Sequence, residues 1–310
     1  TLAMAGLAAM KGKGWNLARA AVSAPSPTQL AEAPADASVG LHSMGQIIFK
    51  SDARRAKDSS KFAVVGDGMQ AEHVCDLLEQ DWNLKRPSVL LSVTGSAQDL
   101  RLDGALEQYL KHGLADAARS TSAWVISGGM DSGVMGLTGH ALRDVGGDGA
   151  AQRGRTPCIG IAPWRKVTHR EKLWVDPNNP PPGSVLPEDH LNMEVLYVKR
   201  KPNSKEGNAI DPNHTHFLLV ENGKEEFGGE IDFRGKLEHA LCQRFRVPNV
   251  LLVVQGGPGT YATVRKGIES GERVILVKES RGAAQVIAEY IEPLLDDRQH
   301  LIEDPDALQQ

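Results

Sequence analysis

Residues 251–264 read LLVVQGGPGTYATV. Leu251 to Gln255 suit a buried strand, Gly256 to Gly259 a turn, and Thr260 onward the first residues of a helix. Three glycines within four residues weaken any regular element through backbone entropy, so they point to positive φ angles or to something lying against bare main chain. The same strand, glycine turn and helix succession occurs in AWVISGGMDSGVMGLTGHALRD, Ala123 to Asp144, around Gly128 and Gly129. It occurs in shorter form in SVLLSVTGS, Ser88 to Ser96.

Working outward, IIF at Ile47–Phe49, FAVVG at Phe62–Gly66, CIGIAPW at Cys158–Trp164, HFLLVENG at His216–Gly223 and RVILVKES at Arg273–Ser280 read as further strands, the fourth running into a turn. Such short, continuously apolar runs suit strands buried on both faces of a parallel sheet. Helices are expected at Ala71–Trp82, where Val74, Leu77, Leu78 and Trp82 share a face, after Gly128-Gly129 with Val134, Leu137 and Leu142 on one side, and at about 104–120, 233–245 and 282–295. Strands alternating with helices predict an α/β fold with a Rossmann-like, doubly wound, mostly parallel sheet.

The domain is expected to run from 45 to 295, with an Ala- and Pro-rich extension at 1–44 and a tail at 296–310. The extension carries Lys11, Lys13 and Arg19 with no acid before Glu32, and reads either as an organelle-targeting composition or as an arm that is irregular or docked on a partner. Seven of the 17 prolines fall in 165–212, read as an irregular excursion with a short strand at Glu194–Val198. Its run NNPPPG, Asn178–Gly183, suits a docking ligand or an exposed linker.

The chain has 310 residues, 41% of them hydrophobic, enough for a substantial core. A formal net charge of −4 gives neither a nucleic-acid footprint nor a membrane-surface one. No run approaches the roughly 20 apolar residues that span a bilayer, so no membrane contact by the chain itself is expected. Cys75, Cys158 and Cys242 are far apart and make neither a disulfide framework nor a zinc knuckle, which favours a reducing compartment. The cytoplasm fits best, with a mitochondrial or plastid address left open by the amino-terminal composition.

In an open parallel sheet, ligands bind beyond the carboxyl ends of the strands, where helix N-termini present unpaired N–H groups to anions. Three turns qualify: Thr94-Gly95-Ser96, Ser127-Gly128-Gly129 and Gly256-Gly257-Pro258-Gly259-Thr260. Thr94, Ser96, Ser132 and Thr260 add hydroxyls. Each turn taken singly is equally well explained by a tight strand-to-helix connection. Neither G-x-G-x-x-G nor G-x-x-x-x-G-K-[ST] is present, which disfavours an ordinary dinucleotide site or P-loop.

The ordered segments WNLKRPSVLLSVTGSAQDL, TSAWVISGGMDSGVMGLTGHALRD, CIGIAPW followed by HREKL, NHTHFLLVENG and VVQGGPGT resemble the amino-terminal cytosolic homology region of the melastatin-type transient receptor potential cation channels, a module of the SLOG (lysine-decarboxylase-like) superfamily. The likeness runs from about Gly45 to Leu295. It implies a Rossmann-like module that, in some members, binds ADP-ribose or a related nucleotide as a gating ligand. It further implies that Thr94, Gly95, Ser96, Gly128, Gly129, Met130, Ser132, Asn213, Arg234, Gly256, Gly257, Gly259 and Thr260 face the ligand, Arg234 as a guanidinium for phosphate or a stacked base. Arg234 paired with Glu230 or Glu238 on a solvated helix start is the competing reading.

Nucleotide-binding relatives place G-S-G-R or G-T-G-R after the last strand. This chain has ESRGAAQ, with Arg281, the remaining ligand-facing candidate, ahead of Gly282. The cytokinin-activating phosphoribohydrolases of the superfamily carry P-G-G-x-G-T-x-x-E. Here Gln255 replaces the proline and Thr263 the catalytic glutamate, which favours binding over hydrolysis, a reaction needing a carboxylate near the ribose or the leaving base.

His214 and His216, spaced by two, would share one face of a strand; with no third ligand evident, a hydrogen-bonding role is preferred to a metal. Asp131, Asp211 and Glu230 stay unassigned, since no Ser-His-Asp spacing singles them out, and Trp15, Trp164 and Trp174 read as core or interface anchors. No catalytic residue, metal or obligatory cofactor is assigned. Three functions remain in play: a binding module for a nucleotide-like molecule, a structural subunit joined to protein partners or to its own copies through the amino-terminal arm and the proline-rich excursion, and a phosphoribohydrolase-type enzyme.

Overall fold

The computed structural model describes residues 40–49, 59–98, 100–144, 155–174, 191–197 and 207–303. The amino-terminal extension through residue 39 with Trp15, the run NNPPPG and residues 304–310 lie outside the described residues.

Nine strands among the described residues form one sheet: β1 (Leu41–Phe49), β2 (Ser59–Gly66), β3 (Leu90–Gly95), β4 (Trp124–Ser127), β5 (Cys158–Pro163), β6 (Met193–Tyr197), β7 (His216–Glu221), β8 (Asn249–Val254) and β9 (Arg273–Val277). Their order is β6-β1-β2-β7-β5-β4-β3-β8-β9. Every pairing is parallel except β1 against β2. The doubly wound α/β architecture expected from the alternating pattern is therefore present. Its topology steps from β3 through β4 and β5 to β7 in one direction, then returns to β8 on the far side of β3, so the strand order reverses between β3 and β8.

The helices are α1 (Ala71–Asp76), α2 (Gly104–Ser120), α3 (Gly133–Asp144), α4 (Ile231–Phe245), α5 (Pro258–Glu269) and α6 (Gly282–Glu303). Helix α2 starts where Asp103 accepts a hydrogen bond from the Ala105 N–H at 2.9 Å, satisfying an otherwise orphan donor. Side chains of α2 and α3 pack with Phe62, Val64, Val93, Val125 and Phe217 on one face of the sheet. On the other, α1, the turn that follows it and α4 bury Val74, Leu78, Phe233 and Leu241 against Ala63, Leu90, Ile126 and Leu218. Helices α5 and α6 extend that second layer over Leu251 and Val253 of β8. Each fully buried aliphatic or aromatic side chain contributes about 1.5–3 kcal/mol relative to an exposed one.

Some boundaries differ from the expectations. β1 begins at Leu41 rather than beyond Gly45, because its outer-sheet position lets buried and half-exposed residues mix and blurs the apolar run. The helix expected through Trp82 leaves α-geometry after Asp76 for a π-turn over Leu77–Asp81, closed by the Trp82 N–H on the Leu77 carbonyl at 2.9 Å. β9 stops at Val277 and gives way to a 3-10 turn, Lys278–Ser280, whose Ser280 hydroxyl donates to the Val277 carbonyl. Helix α6 continues through Pro293 to Glu303, well into the segment expected as a tail.

Candidate functional site

The three glycine turns converge. β4, β3 and β8 are consecutive in the sheet, so the loops after them leave from adjacent strand ends. The Val134 N–H at the start of α3 donates to the Ser96 carbonyl at 2.9 Å, joining the first two loops. Thr260 Oγ1 donates to the Gly95 carbonyl at 3.4 Å, and the Ser96 N–H donates to the Val254 carbonyl at 3.3 Å, joining the first and third. The meeting point is the carboxyl end of β3 and β8, where the strand order reverses and where open α/β sheets form their ligand crevice.

What each glycine does there differs. A Cβ on Gly95 would fall 1.9 Å from the Val254 carbonyl, so this glycine serves close strand pairing. Gly129, at φ +68, is pressed against the Gly160 Cα and the Phe217 ring, and Gly128 lies under the Met135 sulfur. Gly256, at φ +96, backs onto the Thr260 side chain. These four are packing and conformational glycines. Gly257 and Gly259 are different, for nothing lies within 4 Å of a Cβ built on either. They open the N-terminal turn of α5, whose first position, Pro258, has no N–H to satisfy.

The other expected ligand contacts divide in the same way. Thr94, Ser96 and Ser132 are half-exposed on the converging loops. Met130 is buried and bridges to Ile210, and the buried Thr260 hydroxyl accepts from the Gly257 N–H at 3.2 Å. Arg281 is exposed at φ +70 ahead of α6. The first amides of α6 are spent on the neighbouring loop: Ala283 N–H donates to the Gly256 carbonyl and Ala284 N–H to the Gln255 carbonyl, both at 3.0 Å. In this chain ESRG thus sets a helix start against the glycine loop, with Arg281 at its edge.

Arg234 departs from its expected role. Only 8% exposed, its Nε donates to Glu238 Oε1 at 2.9 Å, and its Nη2 donates to Ser92 Oγ at 2.6 Å and to the Val93 and Ile126 carbonyls. Glu238 is the anticipated partner, but the pair is buried between α4 and the sheet rather than solvated. Ser92, a polar residue in the middle of an apolar strand, was the signal for it. Asn213 departs too: it is buried, donating to Asp211 Oδ1 at 2.8 Å and accepting from Arg143 at 2.8 Å.

The chain also assembles a constellation that no spacing suggested. Ser127 Oγ lies 2.7 Å from His214 Nε2, and His214 Nδ1 lies 2.8 Å from Asp211 Oδ2. All three are fully buried. The Gly129 N–H donates to Ser127 Oγ at 3.2 Å, so the network holds the second glycine turn from beneath. Gly139 of α3 lets the helix close over it, since a Cβ there would overlap Asp211 Oδ2. Burial alone would push the His214 imidazole down, but Cys158 and the bonded Asp211 carboxylate raise it to about 10. Protonated, His214 donates from both ring nitrogens. The geometry is that of a nucleophile relay, yet Ser127 has no exposed surface for a substrate, so the network acts as a mount for the turn.

His216 does not share a face with His214. Its ring packs on Trp82, in the α1–α4 layer, whereas His214 packs on Phe217 in the opposite one. His214 precedes β7, so the strand alternation does not extend to it. No cluster of three or more His, Cys, Asp or Glu suited to a metal occurs among the described residues. No helix among them is long and apolar enough to cross a membrane. Trp164 and Trp174 pack edge-on in the core at 4.8 Å.

A family model described as SLOG in TRPM matches residues 60–306. The chain is 30% identical over 267 residues to transient receptor potential cation channel subfamily M member 2 of Mus musculus, covering 83% of the chain and 16% of that protein. It is 33% identical over 232 residues to the subfamily M member-like 2 protein of Nematostella vectensis, covering 70% and 14%. With subfamily M member 7 of Rattus norvegicus it shares 31% over 258 residues, covering 80% and 13%. The chain therefore spans a small part, at most 16%, of the length of these relatives.

Proposed function

The chain belongs to the family described as SLOG in TRPM, and on that premise we propose that it is a ligand-binding module that holds a nucleotide-type anion of the ADP-ribose kind without turning it over. The observation that carries this reading is the open space at Gly257 and Gly259, at a helix N-terminus on the strand-order reversal. Bare main chain and the positive end of α5 suit a phosphate there, with Thr94, Ser96 and Ser132 as hydroxyl donors and Arg281 as the nearby cation. Gly95, Gly128, Gly129 and Gly256 shape this crevice by packing. Met130, Thr260, Asn213 and Arg234 support it from within.

Binding rather than hydrolysis follows from Thr263, which stands where related phosphoribohydrolases carry their acid. Its hydroxyl donates back to the Gly259 carbonyl at 3.3 Å. The relatives are named as cation channels, and by that likeness the module serves as a cytoplasmic sensor element of a larger assembly.

The test is thermal melting with and without ADP-ribose, AMP or NAD. A ligand at 100 times its Kd adds about 2.7 kcal/mol to stability by mass action. Gly257 has φ −131, ordinary extended backbone, so Gly257→Val should melt close to the wild type while losing the ligand-induced shift, with affinity reduced at least about ten-fold by the filled approach path. Retention of the shift in this variant counts against the crevice. A wild-type melting temperature that stays flat at millimolar ligand supports a structural subunit instead, and release of ribose phosphate or base, abolished by Gly257→Val, supports an enzyme.

A further inference from the structure

A second concavity, sharing no residue with the crevice, runs along the outer side of α4 between the β2–α1 loop and α5, with a volume of about 940 Å³. Met69, Phe233 and Leu237 give it an apolar floor, and Lys266 closes its α5 side through an ion pair with Asp232. Among its other charged lining residues, Arg244 pairs with Asp76 and Glu79 and Glu269 with Arg265, whereas Lys236 on α4 and, at the β2–α1 mouth, Asp67 and Glu72 make no ion pair with a described residue.

The described chain begins at that mouth. The Gly40 carbonyl accepts from the Gly66 N–H at 2.9 Å, and Asp67 is the next residue, so Gly40, the first described residue, lies beside the Asp67 end of the groove. The residues ahead of it have the complementary chemistry. Residues 1–31 contain Lys11, Lys13 and Arg19 and no acid, with Leu7, Met10, Trp15 and Leu17 interspersed. The groove follows α4, 15 residues and so about 22 Å long, a span within reach of such a segment.

We propose that this groove is the docking site, in cis, of the chain's own basic, apolar amino-terminal segment around Lys11–Arg19, steered by Asp67 and Glu72 and anchored by Trp15 on the apolar floor. The groove thereby joins the amino-terminal arm to α4, the helix that carries Arg234 and Glu238 beneath the ends of β3 and β4.

The experiment uses the full chain with the photo-reactive residue p-benzoylphenylalanine in place of Trp15. Irradiation should give, on a monomer-mass species, cross-links from position 15 to residues 67–75 or 232–244. The yield should fall about ten-fold in Lys11→Glu/Lys13→Glu/Arg19→Glu, a change confined to the arm, and recover when Asp67→Lys and Glu72→Lys are added. It should also fall in high salt. Cross-links to the groove on a dimer-mass species would assign the occupant to a second copy and overturn docking in cis. Cross-links elsewhere, no cross-links, or a charge-reversed arm that links as well as the wild type would overturn the proposal outright.

Discussion

Replacing Glu238 by alanine should destabilise the protein by about 3–5 kcal/mol, because it strands the Arg234 guanidinium in the layer between α4 and the sheet with no counter-charge. Both side chains are nearly inaccessible, and Glu238 Oε1 also accepts from Ser92 Oγ at 2.7 Å, so the substitution opens a network rather than one contact. Domains of this size hold only about 5–15 kcal/mol in total. The melting temperature should therefore drop by on the order of 10 °C. The paired change Arg234→Met/Glu238→Leu removes both charges and should recover most of the loss, since a well-packed apolar pair is commonly as stable as a buried ion pair. Near-wild-type melting of Glu238→Ala would refute the structural role of the pair. The paired variant has a second use, for if it keeps the nucleotide-induced shift, Arg234 works only as support.

Asp211→Ala should cost a comparable amount, about 3–5 kcal/mol, by leaving the His214 imidazolium buried without its carboxylate. The pH dependence identifies the cause. His214 is held up at about 10 in the folded state, so its contribution is complete below the ordinary histidine pKa of about 6.5 and is lost as pH rises through 10. His216 has the opposite sign. Buried, and further disfavoured as a cation by Lys61 and Arg155, it is pushed down to about 3, so its contribution is present above about 6.5 and is lost as pH falls toward 3. The two together predict a stability maximum near neutrality, with an alkaline limb falling by up to about 1.4 kcal/mol per pH unit. Denaturant melts of the wild type and His214→Gln between pH 7 and 10 check this. The variant should be flatter in that window, and identical slopes would show that His214 carries no proton there.

The parallel strands were legible because a strand buried on both faces is apolar at nearly every position, and SVLLSVTG or LLVVQ admits few other readings. The glycine turns were legible as turns but not in their purpose. Whether Gly129 faces a ligand or the Gly160 backbone depends on a strand that begins 29 residues later, at Cys158, and no local pattern contains that neighbour. Ser127 and His214 lie 87 residues apart and meet because β4 pairs with β5 and β5 with β7, so their relay is a product of strand order. Arg234 read as a ligand-facing guanidinium or, failing that, a solvated helix-start cation, and only the unexpected Ser92 in β3 hinted that the sheet beneath it was prepared to receive a charge.

Local chemistry along the chain determined where strands, helices and tight turns fall, since backbone entropy and apolar burial act over a few residues at a time. It also supplied motifs sufficient to fix the family. Tertiary structure alone decided which glycines are open and which are filled, which way Arg234 turns, and which histidine is charged, because those outcomes depend on dielectric and contact with segments distant in sequence.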